Sequence, residues 1–433
     1  MTQTNASFPR NHSLDALRAW MMLLGIFIHA ACAHTNIPDA WWFRDPQTSV
    51  WVDSAILFIH LFRMPVFFVM AGFFAALLYY RRGWRGMFEN RAMRVGLPFA
   101  LGILFLSPIL KPMGAFAHFA SRRPDAWQAT WSYMLSGRWL GRIEPMHLWF
   151  LEYLILLYGL ALIVVPVMNR IPLGGAFRRV MLSGLAPVVF AVPTFLVLCV
   201  MEWGLLDTPH SFVPVPRIAG AYAIFFFFGW ALFCHRDLLE SFRSNAVSYV
   251  FSACLLSAAN IAIVVRHLAI QPARSTTLFV ATAATGALVV WFMIFGLTGL
   301  VLRYAGQPSA RTRYLSDAAY WLYLFHPPVI VLAQFAVWGM NWHWTLKLIF
   351  VHVVSVPVLL WTYRHWVRST WVGALLNGRR YEKQAHPATP DQAISASLFS
   401  PERSAVLSAL DLDGTTGSLC SSATPDLCSI GRA

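Results

Sequence analysis

The feature that most limits what this chain can become is a succession of long apolar runs with few charges inside them. Ten can be marked, roughly over 14–33, 56–80, 95–112, 146–168, 180–201, 218–235, 247–268, 276–302, 316–339 and 345–366. A helix crosses the bilayer core with about 20 apolar residues, because lipid offers no partner to a bare backbone N–H or C=O. The runs therefore predict an all-α, polytopic integral membrane protein with about ten transmembrane helices. Composition agrees: 58% of the residues are apolar and 12% charged, against about 45–50% and about 25% in a soluble domain. The least regular runs are the third, which contains Pro98 and Pro108, and the short sixth.

The formal net charge of +14 would suggest nucleic-acid binding in a soluble protein. Here the basic residues gather in short loops, which is a topology signal, so nucleic acid is not an expected partner. Arg81, Arg82, Arg85, Arg91 and Arg94 follow the second run, Arg170, Arg178 and Arg179 the fourth, and Arg303, Arg311 and Arg313 the eighth. The alternate loops are poorer in Lys and Arg, apart from the long 111–145 segment. Both termini are expected in the cytoplasm. Trp41, Trp42 and Trp51 fall outside the first hairpin, where they read as an interfacial belt or a sugar-stacking platform; Trp127, Trp131 and Trp139 admit the same two readings. The six cysteines form no C-x-x-C pair and read as buried free thiols. The first run carries Arg18 and does not resemble a cleavable signal peptide. Residues 1–370 are expected to form the membrane domain. Residues 371–433, rich in Ser, Thr, Pro and Asp toward the end, are expected to form a disordered cytoplasmic tail, with a brief helix conceivable over 404–412.

Ionisable side chains inside spans are costly, and each marks a candidate site. Arg18 and His29 share a face of the first span, eleven residues and about 16 Å apart. Snorkelling by Arg18 and a helix–helix hydrogen bond by His29 would also account for them. His60 and Arg63 lie one turn apart in the second span. Arg63 needs a carboxylate, water or an anionic ligand, and Glu152 in the fourth span is the clearest intramembrane acid, so either a structural Arg63–Glu152 pair or an anionic substrate fits. His147 opens the fourth span. The ninth carries Tyr320, Tyr323 and His326-Pro327-Pro328. There a proline removes a backbone donor, and the histidine either lines a cavity or patches the broken ladder. Arg91 and Arg94 are spaced to hold a phosphate, or are ordinary positive-inside charge. No nucleotide-binding loop, serine-hydrolase elbow or zinc-protease motif is present. A histidine base acting on a hydroxyl is the chemistry that remains.

These residues together resemble the acyltransferase-3 family of ten-span inner-membrane enzymes. The carriers are Arg18-x(10)-His29, Arg91-x-x-Arg94, Phe67-Phe68-Val69-Met70-Ala71-Gly72-Phe73 (with Ala71 where serine is usual) and Tyr323-Leu324-Phe325-His326-Pro327. The stretches 13–25, His60-Leu61-Phe62-Arg63-Met64, Arg94-Val95-Gly96-Leu97-Pro98 and His147-Leu148-Trp149-Phe150-Leu151 are most similar to its glucan succinyltransferase subgroup. The resemblance spans about residues 12–366 and is weakest over 170–300. It implies acyl transfer from cytoplasmic acyl-CoA, succinyl-CoA before acetyl-CoA, to hydroxyls of a periplasmic glycan, by a multi-pass protein of the bacterial inner membrane and without a metal. His29 would be base or acyl relay, with Arg18 orienting it or stabilising charge and His326 a further catalytic group. His60, Arg63, Glu152, His147 and Tyr323 would bind substrate, and Arg91 and Arg94 the CoA phosphates. A secondary transporter or glycan flippase would also bury charges at mid-depth, but should carry an inverted repeat, and none is visible.

Overall fold

The computed structural model describes residues 11–37, 40–42, 44–120, 123–172, 174–269, 275–378 and 381. Over these residues the chain is helical, without strands. Its contacts separate Met1–Tyr381 from Glu382–Ala433. The latter lies outside the described residues, as do the stretch 404–412, Cys420 and Cys428.

The first helix, α1 (His12–Ala31), starts where Asn11 accepts the Leu14 N–H at 3.1 Å. Asp15 in its first turn complements the positive helix end. Ser49 caps α2 (Val50–Arg91) by accepting the Trp51 N–H. That helix breaks at Gly83, whose φ of 68° suits a residue without Cβ. A π-helical turn over Ala92–Gly96 leads into α3 (Leu97–Ala120). The apolar stretch Val50–Ala120 has 71 residues, about 105 Å if straight and far more than one crossing needs. It returns on itself: a Cβ at Gly114, late in α3, would touch Trp42, which lies just ahead of α2. The second and third predicted spans are its two legs. The third runs to Ala120, not 112, with Pro108 and Pro112 accommodated inside the helix.

There follow α4 (Ala126–Leu135), α5 (Trp149–Met168), α6 (Gly174–Leu182), α7 (Ala186–Leu198), α8 (Pro216–Cys234), α9 (Ser241–Ser244), α10 (Ala246–Ala269), α11 (Thr276–Tyr304), α12 (Ala310–Val337), α13 (Trp344–Thr362) and α14 (Trp371–Asn377). Among the described residues eight stretches are long and apolar enough to cross a membrane, or nine if α6 and α7, bent by 117°, make one span. The fifth predicted run, drawn as one helix over 180–201, is therefore broken, at a turn where Gly184 takes φ 72°. Packed helix continues past residue 370. Gly373 and Leu376 of α14 are buried, and the Tyr381 hydroxyl donates to Asp317 of α12.

The core forms where α2 packs on α8, α1 on α12, and α11 on α7 and α10. Gly72 and Gly229 let α2 and α8 touch backbone to backbone: a Cβ at Gly72 would collide with the Phe226 carbonyl, and one at Gly229 with that of Val69. The Phe-Phe-Val-Met-Ala-Gly-Phe motif is thus a helix crossing, on which Phe68 stacks against Tyr222 at 4.4 Å. In contrast, only 17% of the apolar window of α10 and 28% of that of α13 is buried, which leaves these helices facing lipid. Cys32, Cys199, Cys234 and Cys254 are free, but Cys234 and Cys254 are exposed on the helix surface, not buried as expected.

One buried ion pair fastens the loop between α1 and α2. Lys347 Nζ of α13 donates to both carboxylate oxygens of Asp45, at 3.0 and 2.7 Å, with 1% and 3% of the two side chains exposed. Asp45 N–H in turn donates to the Ala33 carbonyl at 2.8 Å. This loop carries Trp41 and Trp42.

Candidate active site

A cavity of about 1120 Å³ runs between α1, α2, α5 and α12. Arg82, Arg91 and Arg94 line one end, Trp41, Trp42 and Glu144 the other, and His29, Arg63, His147, Tyr323 and His326 the middle. Five arginines line it (Arg18, Arg63, Arg82, Arg91, Arg94) against three carboxylates (Asp15, Glu144, Asp317), so it favours an anion.

The middle is built by the prolines of α12. In a helix the N–H of residue 327 would bond the Tyr323 carbonyl and that of 328 the Leu324 carbonyl, and proline supplies neither. Two histidines take the released oxygens. His326 Nδ1 lies 2.8 Å from the Tyr323 carbonyl and 2.9 Å from that of Leu322. His147 Nε2 lies 3.1 Å from the Leu324 carbonyl. A carbonyl only accepts, so both nitrogens carry the proton. The sequence left His326 as either a cavity residue or a ladder patch; it is both. Its Nε2 is buried without a partner among the described residues. Tyr323 closes the group by donating its hydroxyl to the His147 carbonyl at 2.7 Å. Immediately before His147, Met146 adopts φ 49°, the one positive φ of a non-glycine among the described residues. Strain of this kind costs about 1–3 kcal/mol and persists where the surroundings impose it.

His29 faces this group from α1, its ring centroid 4.9 Å from that of His326. Its Nδ1 is likewise buried without a partner among the described residues. Trp41 lies against its other side at 5.2 Å and stacks on Trp42 at 4.9 Å. Gln334 holds this edge: it accepts the Trp41 indole N–H at 3.0 Å and donates to the carbonyls of His29 and Ala30. Among the described residues no group of three or more His, Cys, Asp or Glu is placed to hold a metal ion.

Arg63 reaches the cavity from α2, its guanidinium lying on Gly25, where a Cβ would collide with it. No ion pair or hydrogen bond of Arg63 is formed among the described residues, and its Nε is buried. His60, one turn away, donates Nε2 to the Leu206 carbonyl at 3.0 Å. The Arg63–Glu152 pair, one of the two readings open from the sequence, is not made among the described residues. Glu152 is absent from the cavity wall, to which α5 turns Phe150, Leu151 and Leu154. Two residues from Phe150 and from Leu154, it points some 200° away from them around the helix.

Arg18 lies where the snorkelling reading of the sequence has it. About three turns from His29, it donates to Asp15 Oδ1 at 3.1 Å and to the Ser316 carbonyl and hydroxyl. An arginine side chain cannot span that distance, so Arg18 belongs to the arginine end and does not orient His29. There Tyr320 donates to the Arg94 carbonyl at 2.7 Å, Arg91 lies over the Tyr158 ring at 5.1 Å, and the Arg94 guanidinium rests on Gly378 beyond α14. Arg82, Tyr158, Gln334 and α14 were not singled out from the sequence. Trp41 and Trp42 line the cavity, whereas Trp51 and Trp127 are exposed elsewhere.

The chain matches the model of the acyltransferase-3 family, an acyltransferase domain, over residues 11–364. It is similar to the glucans biosynthesis protein C of Salmonella paratyphi B, Salmonella dublin and Salmonella typhimurium. In each case it is 26% identical over 333 residues, covering 74% of this chain and 82% of the relative. No solved structure matches.

Proposed function

We propose, on the premise that this chain belongs to the acyltransferase-3 family, that it carries a succinyl group from cytoplasmic succinyl-CoA to a hydroxyl of a periplasmic glycan. That it is a multi-pass membrane acyltransferase is the established part. The observation that carries the rest is the single cavity with arginines at one end, histidines in the middle and tryptophans at the other. By the excess of Lys and Arg in its loops, the arginine end is the cytoplasmic one and both termini lie there, in the inner membrane of a bacterium. Arg82, Arg91 and Arg94 hold the phosphates of CoA, and Arg18 lies along the path inward. The neutral, thin pantetheine arm brings the thioester to mid-depth.

A sugar hydroxyl enters from the tryptophan end. His29 takes its proton, the alkoxide oxygen bonds to the thioester carbonyl carbon, and the C–S bond breaks. The leaving thiolate recovers the proton. Arg63, without an ion-pair partner among the described residues, receives the far carboxylate of the succinyl group. A glucan acceptor is suggested by the name of the relatives. The test is transfer by purified protein in nanodiscs supplied with succinyl-CoA and glucan, followed by mass spectrometry. His29→Ala is expected to lose at least about 10²-fold in rate at equal abundance. Near-normal transfer would remove His29 from the reaction.

A further inference from the structure

The two unpartnered nitrogens in the middle of the cavity, Nδ1 of His29 and Nε2 of His326, belong to neighbouring rings whose centroids lie 4.9 Å apart at a tilt of 58°. We propose that Pro327 and Pro328 set the protonation pattern of His29 through His326, so that a backbone carbonyl, His326 and His29 act as a proton-ordering chain in which His326 is a positioning residue.

Each link follows from the one before. Pro327 leaves the Tyr323 carbonyl without its helical donor, and His326 Nδ1 occupies it at 2.8 Å. His326 must then carry its proton on Nδ1 and present a bare lone pair at Nε2. Buried polar atoms are satisfied in folded proteins, and the neighbouring His29 ring, 4.9 Å away, carries an equally unpartnered buried nitrogen, Nδ1. Two imidazoles sharing an N–H···N bond have centroids about 5 Å apart; these lie 4.9 Å apart, so rotation of the rings is enough to bring the two nitrogens together. With Nε2 of His326 able only to accept, His29 Nδ1 must be the donor. His29 is then bare at Nε2, the atom that takes the sugar proton. A small ring rotation on substrate binding closes the bond, as catalytic hydrogen bonds commonly tighten only in the complex. Pro328 frees the Leu324 carbonyl for His147 in the same way, and the His147 ring, 5.5 Å from His326 and at 80° to it, keeps His326 from turning over. The logic is that of a triad in which the third group fixes the tautomer of the base, with a proline-released carbonyl in the place of a carboxylate.

The inference rests on His29 being the base, and the variants separate the two. His326→Asn keeps a donor at the Nδ1 position for the Tyr323 carbonyl but removes the acceptor at Nε2. His326→Gln restores an acceptor there. Expected are a 10²–10³-fold fall in kcat for His326→Asn with KM for succinyl-CoA and glucan unchanged, and recovery of at least tenfold in His326→Gln. Nitrogen NMR of histidine-labelled protein in nanodiscs saturated with glucan and CoA, assigned with His29→Gln, should show His29 protonated on Nδ1 in the wild type and as a tautomer mixture in His326→Asn. An active His326→Asn beside an inactive His29→Ala, or His29 protonated on Nε2 in the wild type, would overturn this inference and leave the reading of His29 standing. An active His29→Ala would remove both.

Discussion

If the protein transfers succinyl as proposed, replacing Arg63 by methionine should leave it hardly able to distinguish succinyl from acetyl. The guanidinium stands in the cavity with Gly25 beneath it, and neither Glu152 nor any other described carboxylate pairs with it. A charge held in this way costs the fold about 2.5–3.5 kcal/mol at the centre of a span, a cost that an incoming carboxylate relieves. A bidentate, charge-assisted pair contributes about 3 kcal/mol beyond what an acetyl group can gain. At about 1.4 kcal/mol per decade, the wild-type ratio of kcat/KM for succinyl-CoA over acetyl-CoA should be about 150. In Arg63→Met it should fall to within a few-fold of one, through loss of succinyl transfer. The assay is competition: both donors at known concentrations, one glucan, and the succinylated and acetylated products counted by mass spectrometry. Because the arginine has no ion-pair partner among the described residues, the variant should be at least as heat-resistant in detergent as the wild type. An unchanged product ratio would refute the assignment. A loss of abundance with both activities falling alike would restore the structural pair with Glu152 and refute the geometry as well.

Two further outcomes follow from the ends of the cavity. Arg91→Ala and Arg94→Ala should each raise the KM for the CoA donor about tenfold with kcat little changed, since a phosphate clamp binds ground and transition states alike; steady-state kinetics in nanodiscs check this. Lys347→Met should lower stability by about 3–5 kcal/mol, because it leaves the buried Asp45 carboxylate without its ammonium partner, and Lys347→Met combined with Asp45→Asn should recover part of the loss in thermal-inactivation midpoints.

How much of this was legible in the sequence depended on whether a property was local. The spans are local, since apolar length alone decides them, and nearly every predicted run meets a helix. The broken fifth run and the extended third were misjudged because hydropathy does not register a bend at Gly184 or a helix that tolerates Pro108 and Pro112. Intramembrane charges were visible, their partners were not. Arg63 and Glu152 were the natural pair on scarcity of acids, yet the angular position of Glu152 on α5 takes it away. Lys347, overlooked in its apolar run, found Asp45 across 302 residues of chain. Arg18 shares a helix face with His29, and that periodicity said nothing of Ser316, which holds it at the far end. The role of Pro327 and Pro328 was half readable: the sequence says which carbonyls are released, and only the fold says that His326 and His147 claim them.

The central claim, that the acyl group passes through one cavity from a donor on the arginine side to a glycan on the tryptophan side, is tested most directly by sidedness. Protein oriented in sealed liposomes, with the arginine face outward, would receive succinyl-CoA labelled in the acyl group from outside and enclose glucan within. The account predicts label on the enclosed glucan for the wild type and none for His29→Ala. Label on the glucan only when donor and acceptor share one compartment, or equal labelling by His29→Ala, would contradict it.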